Sequence, residues 1–176
     1  MLTGEKTPEY LADHWVPRML REAAPDCRIV VLLRDPIERY RSALAHDDQR
    51  DSPRGRRAET DMFNRGFYAR QLERVYRSFS SDRVLVLQYE RCVIDPAGEL
   101  SRTYAFLGLA PHAVADEELR RPRNRTRSEK AELVDQRTRL LRDEYEPDVR
   151  TLQSMLPDLD VSLWPNFAHL ADGAAP

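Results

Sequence analysis

The chain has 176 residues, of which 41% are hydrophobic and 33% charged, a composition typical of one soluble globular domain. Its formal net charge is −2, from 28 Lys and Arg against 30 Asp and Glu, so any electrostatic function depends on local clusters of charge. The two cysteines do not indicate a disulfide framework and are expected to be small reduced residues near the core. Because no apolar run approaches the roughly 20 residues that span a bilayer, and the sequence begins without a signal-peptide pattern, we expect a cytoplasmic protein without membrane contact.

Strands and helices are predicted to alternate along the chain. Residues 27–33 and 84–89 are short aliphatic and β-branched runs, typical of strands that are covered on both faces of a parallel sheet. Apolar periodicity predicts helices at residues 8–23, 36–45, 62–79, 97–107, 128–145 and 147–156. Gly108 stands in the C-cap position of the fourth of these helices. The alternation favours an α/β fold with a parallel sheet flanked by helices.

Three other segments are not predicted to form a complete strand or helix. Residues 47–61 have no apolar periodicity and are interpreted as a mobile surface loop, either a lid or a solvated connection. A third strand would end at residues 4–6, and because almost no chain precedes it, the sequence looks as though it begins in mid-domain. We expect a single, incomplete domain over residues 1–165 and a tail over residues 166–176 that frays from Ala168.

The sequence Arg34-Asp35-Pro36 directly follows the first predicted strand. Asp35 suits the N-cap of a helix, and Pro36 suits its first helical position. Arg34 would lie at the carboxyl end of a parallel strand, where open α/β sheets bind their ligands. Ser42 lies about two turns into the helix, and Arg39 lies on a neighbouring face. Since a guanidinium fork and a hydroxyl suit the oxygens of a phosphate group, we predict that Arg34 and Ser42 converge on one.

The stretch IVVLLRDPIERYRSAL at residues 29–44 resembles the 3′-phosphate-binding motif of sulfotransferases, which use 3′-phosphoadenosine-5′-phosphosulfate (PAPS) as donor. Three further stretches resemble the heparan-sulfate branch of that family and its bacterial relatives, in the same order: GEKTPEYL at 4–11, GFYARQLERVYRSF at 66–79 and VLVLQYERCVIDPAGELSRTYAFLGL at 84–109. Weaker similarity continues through residues 142–164. The resemblance implies a P-loop-NTPase-like fold, transfer of a sulfuryl group to a hydroxyl or amine, and adenosine 3′,5′-bisphosphate (PAP) as product.

The resemblance also implies roles for single residues. It places the 3′-phosphate of the donor on Arg34 and Ser42, and it makes Lys6 a candidate catalytic cation beside the transferred group, with a plain surface lysine as the alternative. Tyr89 would pack either on adenine or against the helices that cover the sheet. The basic run around residues 120–127 corresponds to a loop that closes over the cofactor. Three of its cations are therefore candidate neighbours of the 3′-phosphate: Arg125, Arg127 and Lys130.

The Gly-rich loop with which sulfotransferases hold the 5′-phosphosulfate is missing from this sequence. Backbone N–H groups must approach the anion closely in such a loop, and the six glycines of the chain lie too far apart to form one. The usual catalytic base, shortly after that loop, would also precede Met1. We interpret the chain as a truncated sulfotransferase whose N-terminal strand and phosphate loop are missing; the alternative is a non-catalytic nucleotide-binding or interaction remnant.

Partners are predicted only as broad classes. The acceptor would be a carbohydrate, another glycan or a small metabolite, and no pattern in the loops identifies it. Nucleic acid is not expected, because no aromatic platform accompanies the arginines of residues 120–127. The four histidines show no metal-ligand spacing, so no metal is expected. A domain without its first strand would expose a sheet edge that could pair with a second copy in a homo-oligomer.

Overall fold

A parallel pair of strands lies at the centre of the fold in the computed structural model, which describes residues 3–47, 55–121 and 133–173. Strand β1 (Ile29–Leu33) pairs with β2 (Val84–Gln88), so that Leu33 lies opposite Gln88 where both strands end. Parallel pairing requires a long crossover, whose described residues here carry three α-helices and one short 3₁₀ helix. The eight α-helices of the described residues are α1 (Val16–Ala23), α2 (Pro36–Asp47), α3 (Arg56–Asn64), α4 (Tyr68–Ser78), α5 (Tyr89–Ile94), α6 (Pro96–Leu107), α7 (Asp116–Arg120) and α8 (Asp135–Met155). The predicted α/β class, a small parallel sheet flanked by helices, is confirmed.

The core lies between one face of this sheet and helices α4 and α8. Strand β1 contributes Val31 and Leu33 to it, and α4 and α8 contact each other along their buried faces. The fully buried large side chains of the core are Trp164, Tyr145, Phe79, Phe167, Leu33, Ile37, Leu72, Leu152 and Val149. Each such aliphatic or aromatic side chain contributes roughly 1.5–3 kcal/mol when it leaves water.

The opposite face of the sheet is covered over β2 but not over β1. Leu85 and Leu87 are 8% and 9% exposed, whereas Val30 and Leu32, which lie beside them on the same face, are 42% and 56% exposed. Helix α6 contacts β2. The expectation that both strands are covered on both faces is therefore wrong for β1. An aliphatic run reports the hydrophobicity of a strand, but not which elements pack against it.

Two N-terminal expectations were wrong. Residues 3–7 form no strand, and the helix predicted from residue 8 begins only at Val16. Pro17 explains the later start, because proline is tolerated in the first turn of a helix and breaks the hydrogen-bond ladder further in. Residues 8–15 instead form turns, closed by backbone bonds such as that from Ala12 to the carbonyl oxygen of Glu9 (2.9 Å).

The helix predicted over residues 62–79 is interrupted, and α3 occupies part of the predicted loop. The chain turns at Gly66, where a Cβ atom would lie 2.5 Å from the ring of Tyr145. The break stacks Phe63 and Phe67 around that ring, with centroids 5.0–5.2 Å from it. Residues 48–54 of the predicted loop lie outside the described residues, but Ala58 of α3 is buried, so the loop interpretation is wrong from residue 56 onward.

The C-terminal part of the chain is more regular than predicted. Helix α8 continues through Pro147 without the predicted break, because Tyr145, Val149 and Leu152 pack on the core and outweigh the lost backbone hydrogen bond. A short 3₁₀ helix follows at Ala168–Gly173. It buries Leu170 to 2% exposure, so the expectation of fraying from Ala168 is wrong for this residue.

Candidate functional site

The site forms where β1 ends and α2 begins. Leu33 is the last residue of β1 and Pro36 the first of α2, so residues 34–35 lie at the carboxyl edge of the sheet. The Asp35 Oδ1 atom accepts hydrogen bonds from the backbone N–H groups of Ile37 (2.9 Å) and Glu38 (3.2 Å). These bonds satisfy two of the free N–H groups at the start of α2. The predicted N-cap is confirmed.

Asp35 is also fixed from the far end of the chain. Its Oδ2 atom accepts from both the backbone N–H and the side-chain amide of Asn166, each at 3.0 Å. The residue is fully buried, and burial raises the pKa of its carboxyl while the four hydrogen bonds oppose that rise. A carboxylate that accepts four hydrogen bonds is held in one orientation, so the turn at residues 34–36 is rigidly placed.

Glu90, in the first turn of α5, supports the same turn from the neighbouring strand. Its Oε1 atom accepts from the backbone N–H of Asp35 (3.1 Å), and its Oε2 atom accepts from the indole N–H of Trp164 (2.9 Å). Sequence reasoning missed Glu90. Strand register could have found it, since the carboxyl ends of parallel strands meet at one edge and Glu90 follows β2 as Asp35 follows β1.

The guanidinium of Arg34 lies over the ring of Tyr89, with its Cζ atom 4.8 Å from the ring centroid. Tyr89 opens α5 rather than ending the strand as predicted, and it is 40% exposed. Arg34 is 23% exposed, and its Nη2 atom is 4.0 Å from a carboxylate oxygen of Glu38. Arg41 is closer to that carboxylate, at 2.8 Å. The Arg34 guanidinium therefore lies against an aromatic ring, and its ion pair with Glu38 is long.

Tyr68 lies beneath the turn and was not singled out from the sequence. It belongs to the buried face of α4, and its hydroxyl lies beside the backbone of Arg34. Complete burial raises the pKa of Tyr68 to about 12, so the hydroxyl stays neutral at physiological pH.

The other predicted site residues are placed as follows. Ser42 lies on α2, partly buried, and within the described part of the chain its hydroxyl makes no hydrogen bond. Arg39 instead donates to the carbonyl oxygen of Met62 in α3. Lys6 is exposed in the turn-rich segment before α1. Three candidates lie outside the described residues: Arg125, Arg127 and Lys130.

A polar cleft of about 390 Å³ lies between the segment that follows Lys6 and helix α4. The segment is held there by an ion pair from Glu9 to Arg65 (3.4 Å) and by a bond from Arg74 to the Ala12 carbonyl oxygen (3.4 Å). The cleft is lined by Ala12, Asp13, Asp61, Asn64, Arg65, Phe67, Arg70, Gln71 and Arg74. Three guanidiniums against two carboxylates give it a positive balance. Sequence reasoning did not single out this cleft.

Two kinds of feature are absent from the described residues. No helix among them is both long and apolar enough to cross a membrane. Nor do residues 3–47, 55–121 and 133–173 bring together three or more His, Cys, Asp or Glu side chains in a way that could hold a metal ion.

A parallel sheet with an arginine-bearing turn at its carboxyl edge defines an α/β protein whose site suits a phosphorylated ligand. Comparison with known proteins makes the class specific. The sequence model of the protein family described as "Sulfotransferase family" matches residues 2–113 of this chain. The chain therefore belongs to the sulfotransferase family.

Individual relatives agree with this assignment. The chain is 31% identical over 121 residues to human heparan sulfate glucosamine 3-O-sulfotransferase 6, covering 61% of this chain and 35% of that protein. It is 34% identical over 124 residues to mouse heparan sulfate glucosamine 3-O-sulfotransferase 3B1, covering 61% and 31%. The crystal structure of a sulfotransferase from Alicyclobacillus acidocaldarius superposes with a TM-score of 0.71 at 25% identity, covering 89% of this chain and 64% of that one. The chain thus spans about a third of the length of these curated relatives.

Proposed function

We propose that this protein is a PAPS-dependent sulfotransferase that acts on a hydroxyl or amine of a carbohydrate. The observation that carries the proposal is the turn at residues 34–36, where a partly exposed guanidinium stands at the carboxyl end of a parallel strand, over the exposed ring of Tyr89. A guanidinium fork matches phosphate oxygens, and a tyrosine ring offers a flat surface to a purine. Membership of the sulfotransferase family supports the same donor.

Each donor-side residue has a proposed role. Arg34 binds the 3′-phosphate of PAPS, and Ser42 donates a further hydrogen bond from its hydroxyl. Tyr89 packs on the adenine while its other contact, with Arg34, keeps the guanidinium aligned. Additional cations near the 3′-phosphate come from Arg125, Arg127 and Lys130.

PAPS supplies an activated sulfuryl group, whose bond to the 5′-phosphate breaks as an acceptor oxygen or nitrogen bonds to sulfur, leaving PAP and releasing the acceptor's proton to solvent. Enzymes accelerate such in-line displacements mainly by positioning the reactants and by stabilising the charge on the departing oxygen. Lys6 is the proposed cation for that charge. Its place in an exposed segment, whose later residues line the polar cleft, is compatible with contact to both donor and acceptor.

The acceptor we propose is an acidic glycan. The similar human and mouse enzymes are named for heparan sulfate, which carries sulfate and carboxylate groups. The polar cleft offers guanidiniums from Arg65, Arg70 and Arg74, which suit such groups. Arg70 also lies over the ring of Phe67 (4.7 Å), which orders its side chain.

Transfer of radioactive sulfate from PAPS tests the proposal. The protein is incubated with labelled PAPS and either partly desulfated heparan sulfate or a neutral oligosaccharide. The 176 residues include no Gly-rich loop for the 5′-phosphosulfate, so we expect only weak transfer of label to the acidic glycan, with none in Arg34→Ala and a need for more glycan in Arg70→Ala. Arg77→Ala, an exposed arginine on the same helix outside the cleft, is the matched control. Transfer that is indifferent to Arg34 would overturn the donor site, and equal KM values for Arg70→Ala and Arg77→Ala would overturn the acceptor cleft.

A further inference from the structure

The turn that carries Arg34 is clamped by a carboxylate that no predicted role uses. Glu90 accepts from the backbone N–H of Asp35 through one oxygen (3.1 Å) and from the indole of Trp164 through the other (2.9 Å). We propose that Glu90 is a positioning residue that fixes the Arg34 turn for the 3′-phosphate, and that Trp164 aligns it. This inference rests on the proposed function.

The two bonds of Glu90 require a carboxylate rather than any polar group. Both partners, a backbone N–H and an indole N–H, are donors only. A glutamine of the same size could accept from one of them, but its NH₂ group would face the other donor. Trp164 is fully buried in the core, so its indole cannot turn away to find another acceptor. The geometry therefore depends on the charge state of residue 90.

The same helix start places both the backbone and the side chain of Arg34. Glu90 holds the amide between residues 34 and 35, while its neighbour Tyr89 stacks on the guanidinium at 4.8 Å. A shift of this first turn of α5 would move both supports together. Arg34 needs a fixed fork to meet two phosphate oxygens at once, so a small displacement weakens the pairing.

The C-terminal segment closes the clamp from the other side. Trp164 bonds Glu90, and two residues later Asn166 bonds the Asp35 carboxylate through its backbone and its side chain. These hydrogen bonds join the Arg34 turn to a segment more than a hundred residues away along the chain. Its alignment depends on this segment being folded against the sheet.

Positioning and electrostatics predict opposite results for one substitution. Glu90 carries a negative charge close to a site for an anion, so removing that charge would by itself strengthen the binding of a phosphate. If Glu90 acts by holding the turn, Glu90→Gln weakens binding although it removes the unfavourable charge. The sign of the change therefore separates the two roles.

Gln88 provides a matched control. Its side chain donates to the Asp160 carbonyl oxygen (2.8 Å) and accepts from the Asp160 N–H (3.2 Å), so it also ties the end of β2 to the C-terminal region. Gln88 is more deeply buried than the partly buried Glu90, at 4% exposure, but none of its hydrogen bonds reaches the Arg34 turn. Gln88→Leu should therefore lower stability without changing phosphate binding.

Calorimetric titration with PAP tests the inference on the full chain. We expect the Kd for PAP to rise about tenfold in Glu90→Gln. The same change is then made in Trp164→Phe, which lacks the indole donor. Adding Glu90→Gln to that variant should raise its Kd for PAP by less than about threefold, because the amide oxygen of Gln can then face the Asp35 N–H. Gln88→Leu should bind PAP as the wild type does while melting at a lower temperature.

Several outcomes would overturn the inference. Glu90→Gln that binds PAP as well as the wild type, or more tightly, refutes positioning, and so does a Gln88→Leu variant that loses as much affinity. Should Glu90→Gln not fold, Asn166→Ala removes one arm of the clamp and is expected to weaken PAP binding about threefold; unchanged binding there counts against the clamp. Absence of PAP binding by the wild type would instead contradict the proposed function itself.

Discussion

Asp148 of α8 caps the N-terminus of another helix, and its removal should destabilise the fold. Its two carboxylate oxygens accept from the backbone N–H groups of Ala69 (2.9 Å) and Arg70 (3.3 Å) at the start of α4. Asp148→Ala leaves the Ala69 N–H buried without a partner, since Ala69 is 1% exposed and Asp148 6%, and it also removes the acceptor of the Arg70 N–H. Loss of a cap costs about 0.5–2 kcal/mol and each unsatisfied buried donor about 1–3 kcal/mol, so we expect a loss of about 2–3 kcal/mol.

Urea unfolding followed by circular dichroism measures this loss. The midpoint should fall while the slope of unfolding free energy against urea concentration stays constant, because the same surface is exposed. Asp143→Ala, an exposed aspartate on the same helix, is the matched control and should change stability by less than about 0.5 kcal/mol. Equal midpoints for Asp148→Ala and Asp143→Ala would refute the cap.

Three further predictions concern packing and protonation. Gly66→Ala should cost about 1–3 kcal/mol in thermal unfolding, because its Cβ would lie 2.5 Å from the Tyr145 ring, whereas Gly4→Ala, with nothing within 4 Å, should be neutral. Because burial raises the pKa of Asp35, the folded state keeps this proton to a higher pH than the unfolded state does. The group therefore lowers the free energy of unfolding as pH rises above 3.8. In Asp35→Asn the slope of the unfolding free energy against pH should be more positive than in the wild type, and an unchanged slope would contradict this. Burial, followed by the charge of Glu99, raises the pKa of the Cys92 thiol, so iodoacetamide at pH 8 should modify Cys92 more slowly in the folded protein than in urea, and equal rates would refute its protection.

Local sequence signals predicted the parts of the site that local chemistry determines. Asp35 before Pro36 indicated a helix start, and the carboxylate does cap α2. Gly108 indicated the end of a helix, and it adopts φ +70° at the C-cap of α6, where residues other than glycine are strained. In both cases the interacting groups are within a few residues of each other, so composition and spacing were sufficient.

The supports of the site could not be predicted in this way, because their partners are distant in sequence. Glu90 reaches Asp35 across 55 residues, Asn166 reaches it across 131, and Asp148 caps α4 across 79. No periodicity encodes such pairs. The same limit explains α8, where Pro147 indicated a break by local rules and core packing overrode it.

The exposed face of β1 shows a different limit. Hydrophobic runs predict burial, yet Val30 and Leu32 remain 42% and 56% exposed. Leu85 and Leu87 on the neighbouring strand, which α6 contacts, are only 8% and 9% exposed on that face. A sequence pattern predicts that a strand has apolar faces, and only the tertiary arrangement decides which of them is covered.

Binding of PAP by wild type and Arg34→Ala tests the central claim most directly. Arg34 donates charge-assisted hydrogen bonds in the proposed complex, each contributing about 1.5–3 kcal/mol, so Arg34→Ala should weaken PAP binding by about 10- to 100-fold. Adenosine 5′-phosphate, which lacks the 3′-phosphate, should bind both proteins equally weakly. Arg28→Ala, at the opposite end of the strand and against Phe106, should bind PAP as the wild type does. No PAP binding by the wild type, or equal affinity for PAP in Arg34→Ala and wild type, would contradict the account.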